Sequence, residues 1–372
     1  MKHILTIGGA TRDIFIAYPQ AQMMNLCLYE GRRSFLILED GKKVEVEALE
    51  YHTGGGATNT AVGFRRLGHE VSSFFKIGDD QEGVYVVQSL QANEVDTSHV
   101  IITKELPTAA SFIIPTIDGS RVVLVYRGAS MALKKKEVPD EAILGADLVY
   151  ITSLSGSSST LLLPIVQRAK KYNKVVSVNP GTSQMTVGAS VLCQSLAYID
   201  ILILNSSEAR CCMASLVSED TELQLKMLCR SEAQAKKDMP ELLRAPLMYQ
   251  GFRFELRTFF QEVHARGPKI VIVTNDKDGA YLSHNGTILF HPSLLVPVVS
   301  TLGAGDAFGS GFVGMYEHGY SVEDAMRAGM LNSASVIGAI GAKTGLLHKN
   351  EMEKRLKAVV KGMLQEYPLK KG

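Results

Sequence analysis

The chain has 372 residues, 46% hydrophobic and 21% charged, with 39 basic against 38 acidic side chains and a formal net charge of +1. That balance lacks the basic footprint of a nucleic-acid binder, and the length suffices for one large domain with a smaller appendage. Five cysteines (Cys27, Cys193, Cys211, Cys212, Cys229) without a CxxC spacing indicate neither a disulfide framework nor a zinc site, so a reducing, cytoplasmic setting is expected.

Residues 3–8 read as a buried strand ending at Gly8 and Gly9, with Asp13 in the loop beyond and no room for a signal peptide before it. Residues 35–38 and 44–47 flank Asp40-Gly41, a hairpin signal. A second hairpin is expected over residues 110–126, turning at Asp118-Gly119. Together the two suggest a small accessory sheet, or else a meander on the main domain. Between them, Thr53, three glycines, Ala57, Thr58 and Asn59 open a helical pattern that stops at Gly68. A strand at 71–76 and a helix at 81–92 follow. From about residue 140 strands and helices alternate: strands at 148–152, 175–178, 201–204 and 270–274, helices at 159–172 and 207–216, the last carrying Cys211 and Cys212 as a buried pair. Near-continuous apolar strands in that alternation predict a mostly parallel sheet with helices on both faces. Ligands of such sheets bind beyond the carboxyl ends of the strands, where Asp13, Asn179, Asn205, Thr274 and Asp306 are expected to gather. Residues 218–266 break the rhythm and read as an inserted helical excursion without a motif. Residues 321–340 and 350–367 close the chain as two helices. No run is long and apolar enough to cross a membrane.

The richest stretch lies at 299–311. The apolar run 294–299 reads as a strand end, Gly303, Ala304 and Gly305 as a tight turn, and a helix begins at once with Ala307, Phe308, Gly311, Phe312 and Met315 on one face. Glycines at a helix start let the backbone approach a ligand, and the unpaired N–H groups and macrodipole favour an anion there. Asp306 in that first turn is not needed to hold an anion. A carboxylate there can accept a proton from a hydroxyl while the N–H groups stabilise charge on a transferred phosphoryl group. The plain alternative is an Asp that caps a helix. Asn205 and Glu208, one turn apart after a strand, suit a hydrated Mg²⁺, although taken alone they read more simply as a capping pair. No Walker-type loop and no dinucleotide fingerprint is present.

Taken in order, these pieces resemble the ribokinase-like (PfkB-type) family of sugar and nucleoside kinases, over nearly the whole chain except 218–266. The resemblance rests on Gly303-Ala304-Gly305-Asp306 with Ala307 and Phe308, and on Gly54-Gly55-Gly56 with Ala57, Thr58 and Asn59. Supporting matches are Gly78-Asp79-Asp80 with Gly83, the run Tyr126 to Ala129, Asn205 with Glu208, and Gly341-Ala342. It implies one ribokinase-like α/β domain over residues 1–372, with a β-sheet lid from about 14–52 and 107–128 and a helical insertion at about 218–266. It implies ATP-dependent, Mg²⁺-assisted phosphorylation of a sugar hydroxymethyl group. Asp306 would be the base, and the N–H groups of Gly303, Ala304 and Gly305 the anion hole. Asp13, Gly55 and Asn59 would bind the acceptor; Asn205, Thr274, Gly279 and Asn332 the nucleotide; Glu208 would hold Mg²⁺ through water. The lid would exclude water, and in many members it also joins two copies. Ser300 stands where many members carry an Asp that helps to hold a monovalent cation, which argues against such activation, and Asp276 stands where a Gly is usual. A nucleoside acceptor is the nearest rival, with Phe15, Tyr18 and Phe112 as candidate ring contacts; a non-catalytic, ligand-binding relative is the other. Arg12 and Arg127 could meet a substrate phosphate but read more simply as surface or lid charges. His291 and His348 read as surface residues, the methionines of 213–248 as packing, and Lys134 to Lys136 as a solvated run.

Overall fold

The computed structural model describes residues 1–28, 31–116, 121–186, 188–220, 223, 239–249, 252–358 and 361–370. A nine-stranded sheet runs in the order Gln365–Pro368, Thr287–Pro292, Gly279–His284, Ile270–Asn275, Ile201–Asn205, Val175–Val178, Leu148–Ile151, His3–Ile7 and Glu70–Phe74. The strands from Ile270–Asn275 to Glu70–Phe74 are parallel, and the three on the other side are antiparallel. Because side chains alternate along a strand, each parallel strand feeds two apolar layers. Leu5, Val149, Ile151, Leu202 and Val271 enter one layer, with helices Leu162–Lys171, Ser206–Glu219 and Leu256–His264. Ile4, Leu148, Tyr150, Ile203 and Ile272 enter the other, with Gly56–Arg66 (α1), Ala304–Glu317 and Val322–Ile337. Each fully buried Leu or Ile contributes about 1.5–3 kcal/mol; these layers hold the strand ends in place.

A second sheet of four strands, Arg121–Tyr126, Ala109–Pro115, Thr11–Ala17 and Ala48–Gly54, stands apart from the first. The alternation along Thr11–Ala17 gives it two distinct faces. Asp13 and Phe15 lie on one, opposite His52 and Glu50; Arg12 and Ile14 lie on the other, opposite Thr53 and Tyr51. Helix Gln81–Ala92 (α2) lies against this sheet, in contact with Thr11–Ala17 and Ala48–Gly54.

Several elements differ from the sequence expectation. Asp13 sits inside a strand of the small sheet, not in a loop. The strand Gly31–Ile37 pairs back with Gln22–Leu28, while residues 43–47 form no strand and their neighbour Ala48–Gly54 joins Thr11–Ala17. Alternation shows that a run is a strand, not which run it pairs with. The arms of the second hairpin pair as Ser111 with Val125 and Phe112 with Leu124; Asp118 and Gly119 lie outside the described residues. Residues 293–300 form no strand, because Pro292 and Pro297 offer no N–H and the amides of Val299 and Ser300 turn to the Ile337 carbonyl. The closing helix is Lys349–Ala358 only; Gln365–Pro368 adds an edge strand to the main sheet. Helix 159–172 begins as the 3₁₀ turn Gly156–Leu161. Within 218–266, Leu247–Tyr249 and Phe252–Phe254 pair as a ribbon and Leu256–His264 joins the helical layer; apart from Leu223, residues 221–238 lie outside the described residues. His291 is buried (1% exposed), against the surface reading, and its Nδ1 is 2.7 Å from the Pro292 carbonyl.

Candidate active site

Two helices start at one place. Helix α1 and helix Ala304–Glu317 pack closely where Gly63 meets Ser310; a Cβ on Gly63 would lie 2.3 Å from Ser310 Oγ. Their N-termini therefore converge, and with them the positive ends of two macrodipoles. Gly303 caps the second helix at φ 78°, ψ 1°, a left-handed conformation that favours glycine. Its Cα packs on Ala342, whose Cβ would lie 2.4 Å from a Cβ at 303. Gly305, in the first turn, is exposed and faces open space, with nothing within 4 Å of an added Cβ. A ligand can thus approach the first-turn amides. Gly55 is likewise forced, at φ 92° with the Gly9 carbonyl 2.4 Å from where a Cβ would lie.

At the convergence Asn59 Nδ2 donates to Asp306 Oδ2 at 2.8 Å. Asn59 Oδ1 is buried with no partner among the described residues, so it is an acceptor left for a ligand hydroxyl. Asp13 is 5% exposed and accepts from Thr11 Oγ1 at 2.9 Å. Burial raises the pKa of both Asp13 and Asp306; for Asp306 the Asn59 bond and Lys343 pull the other way, and the charge of Asp13 pushes further up.

Lys343 is the residue that sequence reasoning missed. Its Nζ donates to the Thr53 carbonyl (2.6 Å), Thr53 Oγ1 (3.0 Å) and Thr58 Oγ1 (2.9 Å). Its N–H groups tie the end of strand Ala48–Gly54 to the start of α1, and the two carboxylates supply the facing charge. Burial pushes its pKa down to about 7, with Asp13 and Asp306 holding it up against that. The signal was available: Lys343 is the only Lys, Arg, Asp or Glu between Arg327 and Lys349.

The remaining expected residues separate. Asn205 and Glu208 form a reciprocal capping box, Glu208 N to Asn205 Oδ1 and Asn205 N to Glu208 Oε2, each 2.8 Å. Burial nevertheless pushes Glu208 up to about 7, and the charge of Asp306 adds to it, so the two carboxyls share one electrostatic environment. No cluster of three His, Cys, Asp or Glu able to hold a metal occurs among the described residues. A Mg²⁺ that keeps its waters needs only one or two carboxylates plus phosphates, and Glu208 Oε1, beside the capped Oε2, fits that demand. Thr274 pairs in register with Asn205 at the strand ends, on the same edge. Gly279 is buried at φ 130°, where a Cβ would meet the His291 carbonyl at 2.1 Å; its need for glycine is strand packing. Asp276 occupies an exposed turn at φ 43°, a conformation that Asp tolerates. Asn332 does not reach this edge: it is 0% exposed, donates to the Ala307 carbonyl (2.8 Å) and accepts from Leu347 N (2.9 Å). It braces helix Ala304–Glu317 and leaves the set of candidate ligands.

The front face of the small sheet covers this region. A cavity of about 190 Å³ lies between it and the loop before Gly303, lined by Phe15, Glu50, Ile113, Arg121, Thr301 and Ile340 among others. Arg121 donates to Thr301 Oγ1, clasping the small sheet to that loop. Phe112 projects from the opposite face, and Tyr18 does not line the cavity.

The model of the pfkB family carbohydrate kinases matches residues 23–236 and 255–349. An ATP-dependent ribose-1-phosphate kinase of Halopiger xanaduensis is 26% identical over 291 residues, 78% of this chain and 82% of that protein. A ribokinase of Staphylococcus aureus is 22% identical over 312 residues, 83% and 90% of the two chains. The crystal structure of a Methanocaldococcus jannaschii nucleoside kinase superposes with a TM-score of 0.72 at 19% identity, over 96% of this chain and 99% of that one.

Proposed function

The chain belongs to the pfkB family of carbohydrate kinases and is a phosphotransferase with a hydroxyl acceptor; from that premise we propose that it transfers the γ-phosphoryl of ATP to a sugar hydroxymethyl group, with Asp306 as base. The observation that carries this reading is the bond from Asn59 to Asp306 at two converging helix starts, with Asp13 and Lys343 beside it.

The mechanism follows from these groups. Asp13 and the free Asn59 Oδ1 accept hydrogen bonds from the acceptor's hydroxyls. Asp306, kept ionised by Asn59 and Lys343, takes the proton from the attacking hydroxyl. The amides of Gly303, Ala304 and Gly305 meet the charge growing on the transferred phosphoryl. Asn205 and Thr274 border the nucleotide, and Glu208 would hold a hydrated Mg²⁺, which would supply screening of the phosphate charge. The small sheet, clasped by Arg121, excludes water so that ATP is not hydrolysed. Its outer face exposes Leu49, Phe112, Leu124 and Tyr126, which suits self-association through the lid. ATP as donor and unpaired thiols fit a cytoplasmic enzyme.

A sugar is favoured over a nucleoside because only Phe15, of the three aromatic candidates, reaches the front cavity. An ADP-release assay with Mg-ATP against pooled pentoses, hexoses, phosphosugars and nucleosides, each with and without K⁺, tests this. ADP release stimulated by a sugar pool is expected. Stimulation by nucleosides alone moves the acceptor to that class. No stimulation, with ATP still raising the melting temperature, leaves a binding protein without turnover.

A further inference from the structure

Beside Arg12 and Tyr51 of the small sheet, reaching past the edge strand Ala48–Gly54 to His52, lies an open groove of about 640 Å³ to which the reaction above assigns no ligand. Its walls include Arg12, Tyr51, Arg66, Tyr85, Gln88 and Lys343, and neither Asp nor Glu lines it. The volume falls in the range of small-molecule sites.

The cations are held in place before any ligand arrives. The Arg12 guanidinium lies 5.3 Å from the Tyr51 ring centre and 4.8 Å from that of Tyr85, within cation–π range of both. Its Nε is 2.8 Å from Glu82, a carboxylate that offsets this charge from outside the lining. Arg66 is fixed differently. Its Nη1 donates to the carbonyls of Lys343 (2.9 Å), Thr344 (3.5 Å) and Leu346 (2.9 Å), and among the described residues nothing accepts from its Nε or Nη2. Burial lowers its pKa, yet no carboxylate answers it among the described residues. An immobilised guanidinium with spare N–H groups is the preferred partner of a phosphoryl group. Around these cations Gln88, Ser89, Asn93 and Thr344 supply the hydroxyls and amides that suit a sugar.

We propose that this groove is a second ligand site that binds a phosphoryl-bearing anion, with Arg12 and Arg66 as its anchors. It opens on the Arg12 side of the strand Thr11–Ala17, whereas Asp13 faces the acceptor cleft. The two are also connected. Arg66 fixes the Lys343 and Leu346 carbonyls, the Lys343 side chain fixes Thr53 and Thr58, and Ala342 lies under Gly303. The floor of the groove is the prop of the anion hole.

The test is calorimetric titration of the full chain, saturated with ADP, by inorganic phosphate and by a hexose phosphate. Gln88→Glu places a carboxylate in the groove from an exposed position on α2, and Arg12→Gln removes an anchor. Each is expected to weaken anion binding at least tenfold, while Asp13→Asn leaves it unchanged. A hexose phosphate that binds more tightly than phosphate assigns an organic ligand, and equal affinity assigns free phosphate; both support the site. Binding that survives Gln88→Glu but is lost in Asp13→Asn belongs to the acceptor cleft and overturns the proposal. So does the absence of binding at millimolar anion. Gln88→Glu, on a solvent-facing helical position, keeps the test decisive if Arg12→Gln fails to fold.

Discussion

Replacing Lys343 by Met tests how the carboxylate pair is kept ionised. The substitution keeps length and apolar bulk but deletes one positive charge and three donated hydrogen bonds, to the Thr53 carbonyl, Thr53 Oγ1 and Thr58 Oγ1. Losing those bonds and leaving Asp13 and Asp306 unbalanced should cost about 2–3 kcal/mol of stability, less than for a fully buried charge because Lys343 is half-buried. The more telling effect is on protonation. An opposite charge facing a carboxylate lowers its pKa by about 1–3 units. Asp306, already raised by burial, loses that help. Since a base must be ionised to act, the acidic limb of kcat/KM should move up by roughly 1–3 pH units. The variant should then lose far more activity at pH 6 than at pH 9, whereas Lys343→Arg should keep most of the wild-type profile. The assay is the pH dependence of kcat/KM at each variant's own saturating acceptor. A Met variant whose acidic limb stays at the wild-type pH, however slow it is, would refute the electrostatic role.

Three further outcomes follow from other residues. Glu208 has its folded pKa raised from 4.5 to about 7, so its ionised form costs stability above pH 7 and the cost vanishes as pH falls toward 4.5. Glu208→Gln should therefore raise Tm at pH 8, by up to about 3 kcal/mol in stability, with no gain at pH 4.5, and should weaken Mg²⁺ dependence; a Tm gain equal at both pH values would contradict this. His69 is the converse. Buried and stacked on His318 at 4.1 Å, with Nε2 donating to the Gly314 carbonyl at 2.8 Å, it has its pKa lowered from 6.5 to about 4. Stability should fall as pH drops from 6.5 toward 4, and His69→Gln should flatten that part of a chemical-denaturation series. The two glycines of the anion hole should separate: Gly303→Ala, at φ 78° and against Ala342, should lower both Tm and activity, whereas Gly305→Ala, facing open space, should spare Tm and lower activity about tenfold or more by intruding on the ligand.

The sequence was most legible where local chemistry suffices. Strand Val175–Val178 and helix Gln81–Ala92 fall where periodicity places them, and Gly303 to Asp306 and Gly54 to Asn59 carry their conformational demands in their own residue types. What remained hidden depends on distant pairing. Lys343 meets Thr53 and Thr58 across 290 and 285 residues, and no local pattern announces that contact. Asp13 reaches the site from a strand of the small sheet, not from a loop at the end of a main-sheet strand. The apolar run 294–299 resembles a strand but finds no ladder, and Gln365–Pro368, which looks like the end of a helix, finds one. Asn332 and His291 are polar residues that the core absorbs, which only their burial and partners could reveal.

The most direct test of Asp306 as base is single-turnover phosphoryl transfer by Asp306→Asn, with Mg-ATP and the acceptor identified by ADP release. Asn is nearly isosteric and can still bond to Asn59, so binding of acceptor and ATP should be retained. The rate of transfer should fall by about 10²–10⁴. Transfer at a near-normal rate, with both ligands bound as in the wild type, would contradict the account.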